Sequence, residues 1–252
     1  MDVLLTNDDG IQSQGIRSLY SAFKEAGYNV SVVAPVSQQS AMSHRLTFYL
    51  PLRITKIEND NFSGIGVYGT PTDCVKLALG GLLPRKPDLV VSGINAGPNV
   101  GPDIMYSGTI AAASEAALEN IPCLAISHCD HKQTVNLLEH AKYSIEISKK
   151  IDWGKLHEKC CISINYPEGT LDKAKGVKVC KQTLAIRRNF YEKRNDPWGL
   201  PYWWFDGEVI KEDVQDDSDK ALLDNGFITV TPLRFEFTDM RNFNLLEEML
   251  EK

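Results

Sequence analysis

Short apolar runs alternate with helical patterns over the first two thirds of the chain. Four of these runs predict strands that are buried on both faces: Val3–Thr6, Val30–Ala34, Asp88–Ser92 and Cys123–Ser127. Helices are predicted between and after them, over Ser13–Ala26, from Thr70 onward, over Thr109–Asn120 and over Gln133–Ile151. This alternation predicts an α/β fold with a Rossmann-like, doubly wound and mostly parallel sheet.

Two regions depart from this alternation. Leu46–Tyr68 has an extended pattern around Asn59-Asp60-Asn61, which predicts an antiparallel pair of strands. Beyond residue 160 we predict strand-like segments, an acidic loop and a terminal helix, over Cys160–Asn165, Val177–Leu184, Glu208–Asp219, Phe227–Thr231 and Asn242–Lys252. We therefore expect a core over residues 1–160 and a β-rich C-terminal extension over residues 161–252, packed on that core.

Composition narrows the classes of partner. The 252 residues include 27 Lys and Arg against 33 Asp and Glu, a net charge of −6, which argues against a nucleic-acid polymer as partner. No apolar run reaches the roughly 20 residues of a membrane helix, and the first residues lack a signal-peptide pattern, so we expect a cytoplasmic protein with no membrane partner. The six cysteines form no CxxC pair and are expected to be reduced.

The loop after the first predicted strand carries two adjacent carboxylates, in Asn7-Asp8-Asp9-Gly10. Ligands bind beyond the carboxyl ends of the strands in such a sheet, and two neighbouring anions there call for a cation. Oxygen ligands favour Mg²⁺ or Mn²⁺ over zinc. The alternative is a helix-capping aspartate beside a solvated one, and the dipeptide alone does not decide between the two.

Two further loops are expected at the same edge. Gly93–Gly101 holds three glycines and two asparagines, and Tyr106-Ser107-Gly108-Thr109 then enters a helix, whose first N–H groups can hold an anion. The hydroxyl-rich segment Ser37–His44 follows the second strand, although by itself it is only a polar loop. The three loops together suggest metal-assisted phosphoryl chemistry.

These residues resemble the SurE family, the stationary-phase survival proteins that act as nucleoside monophosphate phosphatases. The matching stretches run in order along the whole chain: Thr6–Ile11, Val33–Pro35 with Ser40, Gly69–Val75, Ser92–Asn95, Gly97–Asn99, Ser107–Thr109 and Val230–Leu233. Local departures are Ser43-His44-Arg45, which could alter the mouth of the pocket and the choice of substrate, and Ala111–Ser114.

The resemblance implies a set of site residues. Asp8, Asp9, Ser40 and Asn95 are the implied metal ligands, and the implied cofactor is one Mg²⁺ or Mn²⁺ ion per subunit. The expected catalytic residues are Asp8, Asp9 and Asn95. The expected substrate contacts are Asn7, Asn95, Asn99, Ser107, Gly108 and Thr109. The implied activity is hydrolysis of nucleoside 5′- and 3′-monophosphates, and in some members of short polyphosphate.

Several alternatives stay open at this point. We favour attack by water that the metal activates over attack by an aspartate, because haloacid-dehalogenase-like phosphatases, the alternative enzyme class, use a D-x-D arrangement and this chain has D-D. A metal or nucleotide sensor without turnover is a second alternative. His128-Cys129-Asp130-His131 could be interpreted as a zinc site, but its spacing is unusual and a polar loop is favoured.

An aromatic and basic segment interrupts the extension. Seven of the 22 aromatic residues of the chain lie within Ile186–Phe205, together with four basic residues. Such a mixture could bind single-stranded nucleic acid, but the overall charge argues against this. An exposed aromatic hairpin more often marks a protein interface, so we predict a homodimer formed through this arm, at about residues 185–206, and the resemblance adds tetramers in some members.

Overall fold

A nine-stranded sheet organises the protein in a computed structural model that describes residues 1–59, 61–132, 134–185, 187–209 and 213–250. The strand order is β3-β4-β2-β1-β5-β6-β7-β11-β8. The bounds are β1 Asp2–Thr6, β2 Asn29–Pro35, β3 Ile54–Asn59, β4 Phe62–Val67, β5 Leu89–Ala96, β6 Cys123–His128, β7 Cys160–Tyr166, β8 Val177–Val179 and β11 Ile228–Arg234. Strands β9 (Arg187–Asn195) and β10 (Pro201–Val209) pair with each other in a separate sheet.

The central strands are parallel, as the alternation predicts. Strands β4, β2, β1, β5, β6 and β7 run parallel to their neighbours in that order, while β3 and β11 are antiparallel to β4 and β7. Helices cover both faces: α1 (Gln14–Glu25) and α4 (Leu138–Lys150) pack on one face, and α2 (Pro71–Leu77) and α3 (Gly108–Leu118) pack on the other. The predicted α/β class is therefore confirmed, with an additional antiparallel sheet in the C-terminal region.

Local sequence signals set the ends of two helices. Gly27 has φ +81° after α1, where the N–H of Tyr28 reaches the carbonyl of Phe23, so glycine relieves the strain of this C-terminal turn. At the start of α2 the hydroxyl of Thr70 accepts from the N–H of Asp73, whose carboxylate accepts from the N–H of Thr70. This capping box agrees with the helix start predicted at Thr70.

The structure differs by several residues from the predicted extents of β5, α4 and β8. β5 continues past Ser92 to Ala96, with a shift of register relative to β6. Gly93, at this shift, has φ +140° and lies so close to β6 that a Cβ would be 2.3 Å from the oxygen of Ile126. α4 begins at Leu138, later than predicted, because the carboxylate of Asp130 binds the N–H groups of Lys132, Thr134 and Val135 ahead of the helix. Gln133, the predicted first residue of this helix, lies outside the described residues. β8 ends at Val179.

The C-terminal region contributes to the main sheet and adds new elements. β11 lies between β7 and β8, so residues beyond 160 extend the same sheet. Two further helices are α5 (Asp219–Asp224) and α6 (Met240–Leu250), and α6 buries no residue. The predicted boundary near residue 160 stays a prediction. No helix in the described ranges is long and apolar enough to cross a membrane.

Candidate functional site

Asp8 lies where the end of β1 meets the start of α3. Its side chain is buried, and its Oδ1 accepts from the hydroxyl of Thr109 while the backbone N–H of Thr109 also binds the carboxylate. Gly108 makes this approach possible, because a Cβ at that position would be 2.8 Å from the Cβ of Asp8 and 3.0 Å from its Oδ2. The structure therefore brings Asp8, Gly108 and Thr109 together.

Asp9 connects the same loop to the end of β5. Its Oδ2 accepts from the N–H of Ala96 at 3.0 Å, next to Asn95. The side-chain nitrogen of Asn95 donates to the carbonyl of Gly97 at 2.7 Å, so only its amide oxygen could face a cation. Asp8, Asp9 and Asn95 thus gather at the carboxyl edge of β1 and β5, as the topology of a parallel sheet requires.

The electrostatics of the two carboxylates favour a cation. Burial raises the pKa of Asp8 to about 6, and the charge of Asp9 adds to the shift while the hydrogen bond from Thr109 opposes it. Burial also raises the pKa of Asp9. Two neighbouring anions in a desolvated loop are costly without positive charge, and carboxylate, amide and hydroxyl oxygens are the ligands that Mg²⁺ and Mn²⁺ prefer. The donor set therefore fits a hard divalent cation.

The side chains of Ser40 and Asn7 bind residues close to them in sequence and not the two carboxylates. The N–H of Gln39 donates to the carbonyl of Asp8 at 2.7 Å, so the segment that carries Ser40 reaches the site, but the Ser40 side chain is exposed and its hydroxyl accepts from Gln38. The side-chain nitrogen of Asn7 holds the turn by donating to Gly10 and Ser13. The Oδ1 of Asn7 is buried with no hydrogen-bond partner among the described residues.

Asn99 is fixed by a polar network that sequence reasoning did not find. The side chain of Asn165 on β7 binds both backbone groups of Asn99: its Oδ1 accepts from the N–H at 2.8 Å and its Nδ2 donates to the carbonyl at 3.1 Å. The side-chain nitrogen of Asn99 donates to Ser127 of β6 at 2.8 Å. The sequence signal for this network is a polar residue within each of two buried strands, Ser127 in β6 and Asn165 in β7.

Ser107 caps α3. Its hydroxyl accepts from the N–H of Ile110 at 3.1 Å, and the side chain is buried. The helix therefore begins at the carboxylate of Asp8, with the positive end of its dipole directed at the site. An anion bound there would lie at the positive end of the helix dipole.

The two histidines of the alternative zinc site, His128 and His131, make other contacts in the structure. Both ring nitrogens of His128 are engaged, since Nδ1 accepts from the N–H of Asp130 and Nε2 therefore donates to the carbonyl of Gly169. His131 is exposed, and its ring lies so close to Gly97 that a Cβ on Gly97 would be 2.5 Å from the Cε1 atom of the ring. No group of three or more His, Cys, Asp or Glu side chains within the described residues is arranged to hold a metal.

One of the departures from the family pattern joins the site loop to a helix. His44 lies 2.8 Å from one carboxylate oxygen of Glu115 on α3, and Lys76 of α2 lies 2.6 Å from the other. Burial favours the neutral form of Glu115, but the hydrogen bonds from His44 and Lys76 outweigh it and lower the pKa of this carboxyl. The segment after Ser40 is thereby held against α3.

Comparisons with known proteins identify the family of the chain. A family model described as survival protein SurE matches residues 3–189. The 5′-nucleotidase SurE of Desulfovibrio desulfuricans is 51% identical, over 99% of this chain and 98% of its own length, and that of Flavobacterium psychrophilum is 40% identical over 94% and 92%. A crystal structure of the SurE protein of Aquifex aeolicus superposes with a TM-score of 0.82 at 36% identity, covering 98% of this chain and all of that one. The chain belongs to the SurE family.

Proposed function

We propose that this chain is a metal-dependent phosphomonoesterase that releases phosphate from nucleoside 5′- and 3′-monophosphates and from short polyphosphate. The observation that carries the proposal is the buried carboxylate of Asp8, packed against Gly108 at the first turn of α3 with Asp9 in the same loop. The name 5′-nucleotidase SurE, which relatives about 50% identical over the whole chain bear, supports the nucleotide class.

In this proposal Asp8, Asp9, Ser40 and Asn95 hold one Mg²⁺ or Mn²⁺ ion. When bound, such a cation supplies charge neutralisation, polarises a phosphoryl oxygen and activates water. The support lies in the raised pKa values of both aspartates and in the all-oxygen donor set. Removal of the ion with a chelator should abolish phosphate release, and addition of Mn²⁺ or Mg²⁺ should restore it.

The chain's own residues bind and orient the phosphate. The start of α3, with Ser107, Gly108 and Thr109, binds the negatively charged oxygens of the phosphate. Asn99 contributes from the neighbouring loop, and its position is fixed by Asn165 and Ser127. Thr109 keeps Asp8 in a single orientation. Asn7 is a further proposed substrate contact: its buried, unpartnered Oδ1 is an acceptor, so it would meet a donor such as a hydroxyl of the nucleotide and not a phosphate oxygen.

We propose water as the attacking group. The carboxylate of Asp8 is bound by Thr109 and lies against the backbone of Gly108, which leaves it poorly placed to change partners during a displacement. The adjacent pair Asp8-Asp9 also differs from the D-x-D arrangement of enzymes that form an aspartyl phosphate. A phosphorylated Asp8 or Asp9 trapped by rapid quenching would overturn the water route and leave the phosphatase proposal intact.

The test of the activity is Asp8→Asn, assayed with AMP, a 3′-nucleotide and tripolyphosphate in the presence of Mg²⁺ or Mn²⁺. We expect turnover to fall by about a thousandfold or more, because the variant removes a charged ligand from the cation. The matched control is Asp152→Asn, since Asp152 is exposed and pairs with Lys155 at 2.9 Å. Near-normal turnover by Asp8→Asn would refute the proposed site, and wild-type protein that binds nucleotide without releasing phosphate would favour a sensor.

We further propose that the active form is a homodimer built through β9 and β10, with tetramers as a second level of assembly. Support comes from the exposed aromatic side chains of this hairpin, among them Tyr191, Trp203, Trp204 and Phe205. The proposed substrate partner is a nucleoside monophosphate. Two further expectations stay predictions: that nucleic-acid polymers are not partners, and that the protein is cytoplasmic.

A further inference from the structure

Asp219 is a buried carboxylate outside the candidate site that binds one of the loops of the site. Its side chain is 1% exposed. Oδ2 accepts from the N–H of Gly101 at 2.8 Å, and Oδ1 accepts from the N–H groups of Thr183 at 2.9 Å and Lys220 at 2.8 Å. Burial raises the pKa of Asp219, and these N–H donors oppose that shift. The carboxylate is therefore used as a fixed acceptor of three backbone hydrogen bonds.

Gly101 is held on its other side as well. The side-chain nitrogen of Gln182 donates to the carbonyl of Gly101 at 2.8 Å. Gly101 has φ +55°, and a Cβ there would be 2.7 Å from the Cγ2 of Thr183, so the two segments are in close contact. Both backbone groups of Gly101 thus bind side chains that are more than 80 residues away in sequence.

The position of Gly101 matters because of what lies on either side of it. Asn99 is two residues before it, and a 3₁₀ turn over Gly101–Tyr106 leads directly to Ser107 and α3. Asn165 fixes the backbone of Asn99 in the same way as Asp219 and Gln182 fix that of Gly101. A displacement of Gly101 would therefore move both groups of proposed phosphate contacts.

Asp219 also closes the base of the arm. Lys181 and Ser218 form a β-bridge, the N–H of Asp219 donates to the carbonyl of Lys181 at 2.8 Å, and Thr183 binds Asp219 as described. The hairpin of β9 and β10 lies in the chain between these two segments. Asp219 therefore takes part both in joining the two ends of the arm and in holding Gly101.

We propose that Asp219 is a positioning residue for the proposed phosphate-binding segment, which it fixes through Gly101 together with Gln182, and that it connects the base of the arm to that segment. This inference rests on the proposed function, because it assigns the segment a phosphate. Asp219 touches neither the phosphate site nor the aspartate pair in the described contacts, so its effect is on substrate binding and not on the chemical step.

Asparagine cannot replace this carboxylate, although it has the same shape. Each carboxylate oxygen faces backbone N–H groups, Gly101 on one side and Thr183 with Lys220 on the other. An amide supplies one oxygen, so its NH₂ group must face an N–H donor on one side. Asp219→Asn therefore loses a charge-assisted hydrogen bond and adds a donor–donor contact, whereas Gln182→Met removes a single neutral hydrogen bond.

The experiment compares full-length Asp219→Asn and Gln182→Met with Asp217→Asn, a control in the same segment whose exposed carboxylate pairs with Lys181 at 3.1 Å. We expect KM for AMP to rise about tenfold in Asp219→Asn and about threefold in Gln182→Met, with kcat changed less than about twofold, because uniform binding is lost. The dissociation constant of Mn²⁺ should stay within about twofold. Amide exchange in the peptide over residues 97–106 should become about tenfold faster in Asp219→Asn, while Asp217→Asn should behave as wild type.

Every outcome bears on the proposal. A lower melting temperature with unchanged KM well below melting would show a structural role only and overturn it. If Asp219→Asn does not fold, Gln182→Met decides, and an unchanged KM overturns the proposal. If the wild type releases no phosphate, the proposed function fails, and amide exchange at residues 97–106 is then the separate measurement: unchanged exchange overturns the positioning role, and faster exchange supports it.

Discussion

The carboxyl edge of the sheet and the β9–β10 arm distribute polar and apolar side chains in opposite ways. At the edge, Asp8, Asn99 and Asn165 are buried, whereas in the arm Trp203 and Trp204 are 55% and 58% exposed. A polar group that leaves water needs a hydrogen-bond partner within the protein, and at the edge these partners come from strands and loops far apart in sequence. Exposed aromatic surface is instead stabilised when a second molecule covers it, because apolar area is then removed from water.

The arm carries exposed aromatic side chains on both of its faces. Cross-strand pairing sets Tyr191 opposite Phe205, so these two side chains share one face with Trp203, while Phe190, Tyr202 and Trp204 lie on the other. All six are at least 39% exposed. A two-stranded ribbon is marginal alone in water. The comparison indicates that the polar groups of the carboxyl edge find their partners within the chain, while the arm leaves exposed the aromatic surface that the proposed dimer would cover.

Outside the proposed metal ligands, the largest effect is expected where the edge is most tightly packed. Gly108→Ala should lower kcat/KM by about a hundredfold or more, because the new Cβ would lie 2.8 Å from the Cβ of Asp8. Helix propensity alone predicts the opposite, since alanine stabilises a helix by roughly 1 kcal/mol relative to glycine. Steric overlap with Asp8 outweighs that gain. Steady-state kinetics with AMP and Mn²⁺ measures the effect.

The matched control for this substitution is Gly80→Ala. Gly80 lies in the π-helical turn Ala78–Leu82, and a Cβ there would meet no atom within 4 Å. Its kcat/KM should equal that of the wild type. A Gly108→Ala variant that is as active as Gly80→Ala would show that the contact between α3 and Asp8 is not needed for the reaction.

The sequence predicts the edge well where local patterns determine it. Continuous apolar runs give the strands, and parallel topology then brings the loops after β1 and β5 to one edge, which is why Asp8, Asp9 and Asn95 meet. The sequence predicts Gly93 and Gly97 as parts of one loop. In the structure Gly93 lies within strand β5, where the backbone of β6 comes too close for any side chain.

Contacts between distant residues lie beyond such reasoning. Asn165 is 66 residues from Asn99, and Asp219 is 118 residues from Gly101. No periodicity encodes such a pair, and Asp219 lies in a segment whose acidic composition suggests only a solvated loop. The arm is the reverse case: its aromatic composition predicts an interface from the sequence, while the contacts within one chain do not identify the partner.

The arm should respond to substitution through assembly and not through turnover. We expect Trp203→Ser combined with Phe205→Ser to reduce the mass measured by light scattering to that of one chain, because both side chains lie on one face of the ribbon. A serine pair at the exposed positions Phe48 and Tyr49, far in sequence from the arm, is the control and should leave the mass unchanged. Wild-type protein with the mass of one chain at micromolar concentration would contradict a dimer.

The smallest effects are expected on the free energy of unfolding, when one charged pair in each region is broken. In the arm, Glu192 and Arg194 are 2.8 Å apart and both exposed, so Glu192→Gln should leave the free energy of unfolding unchanged within error. Glu115→Gln should cost about 1 to 2 kcal/mol at neutral pH, because its side chain is 7% exposed and binds His44 and Lys76. The pKa of Glu115 is lowered, so this stability is present above the pKa of the unfolded carboxyl and is lost as the pH falls through the folded value. Urea unfolding of both variants from pH 7 to pH 3 measures the difference, and equal costs at pH 7 would show that burial does not distinguish the two pairs.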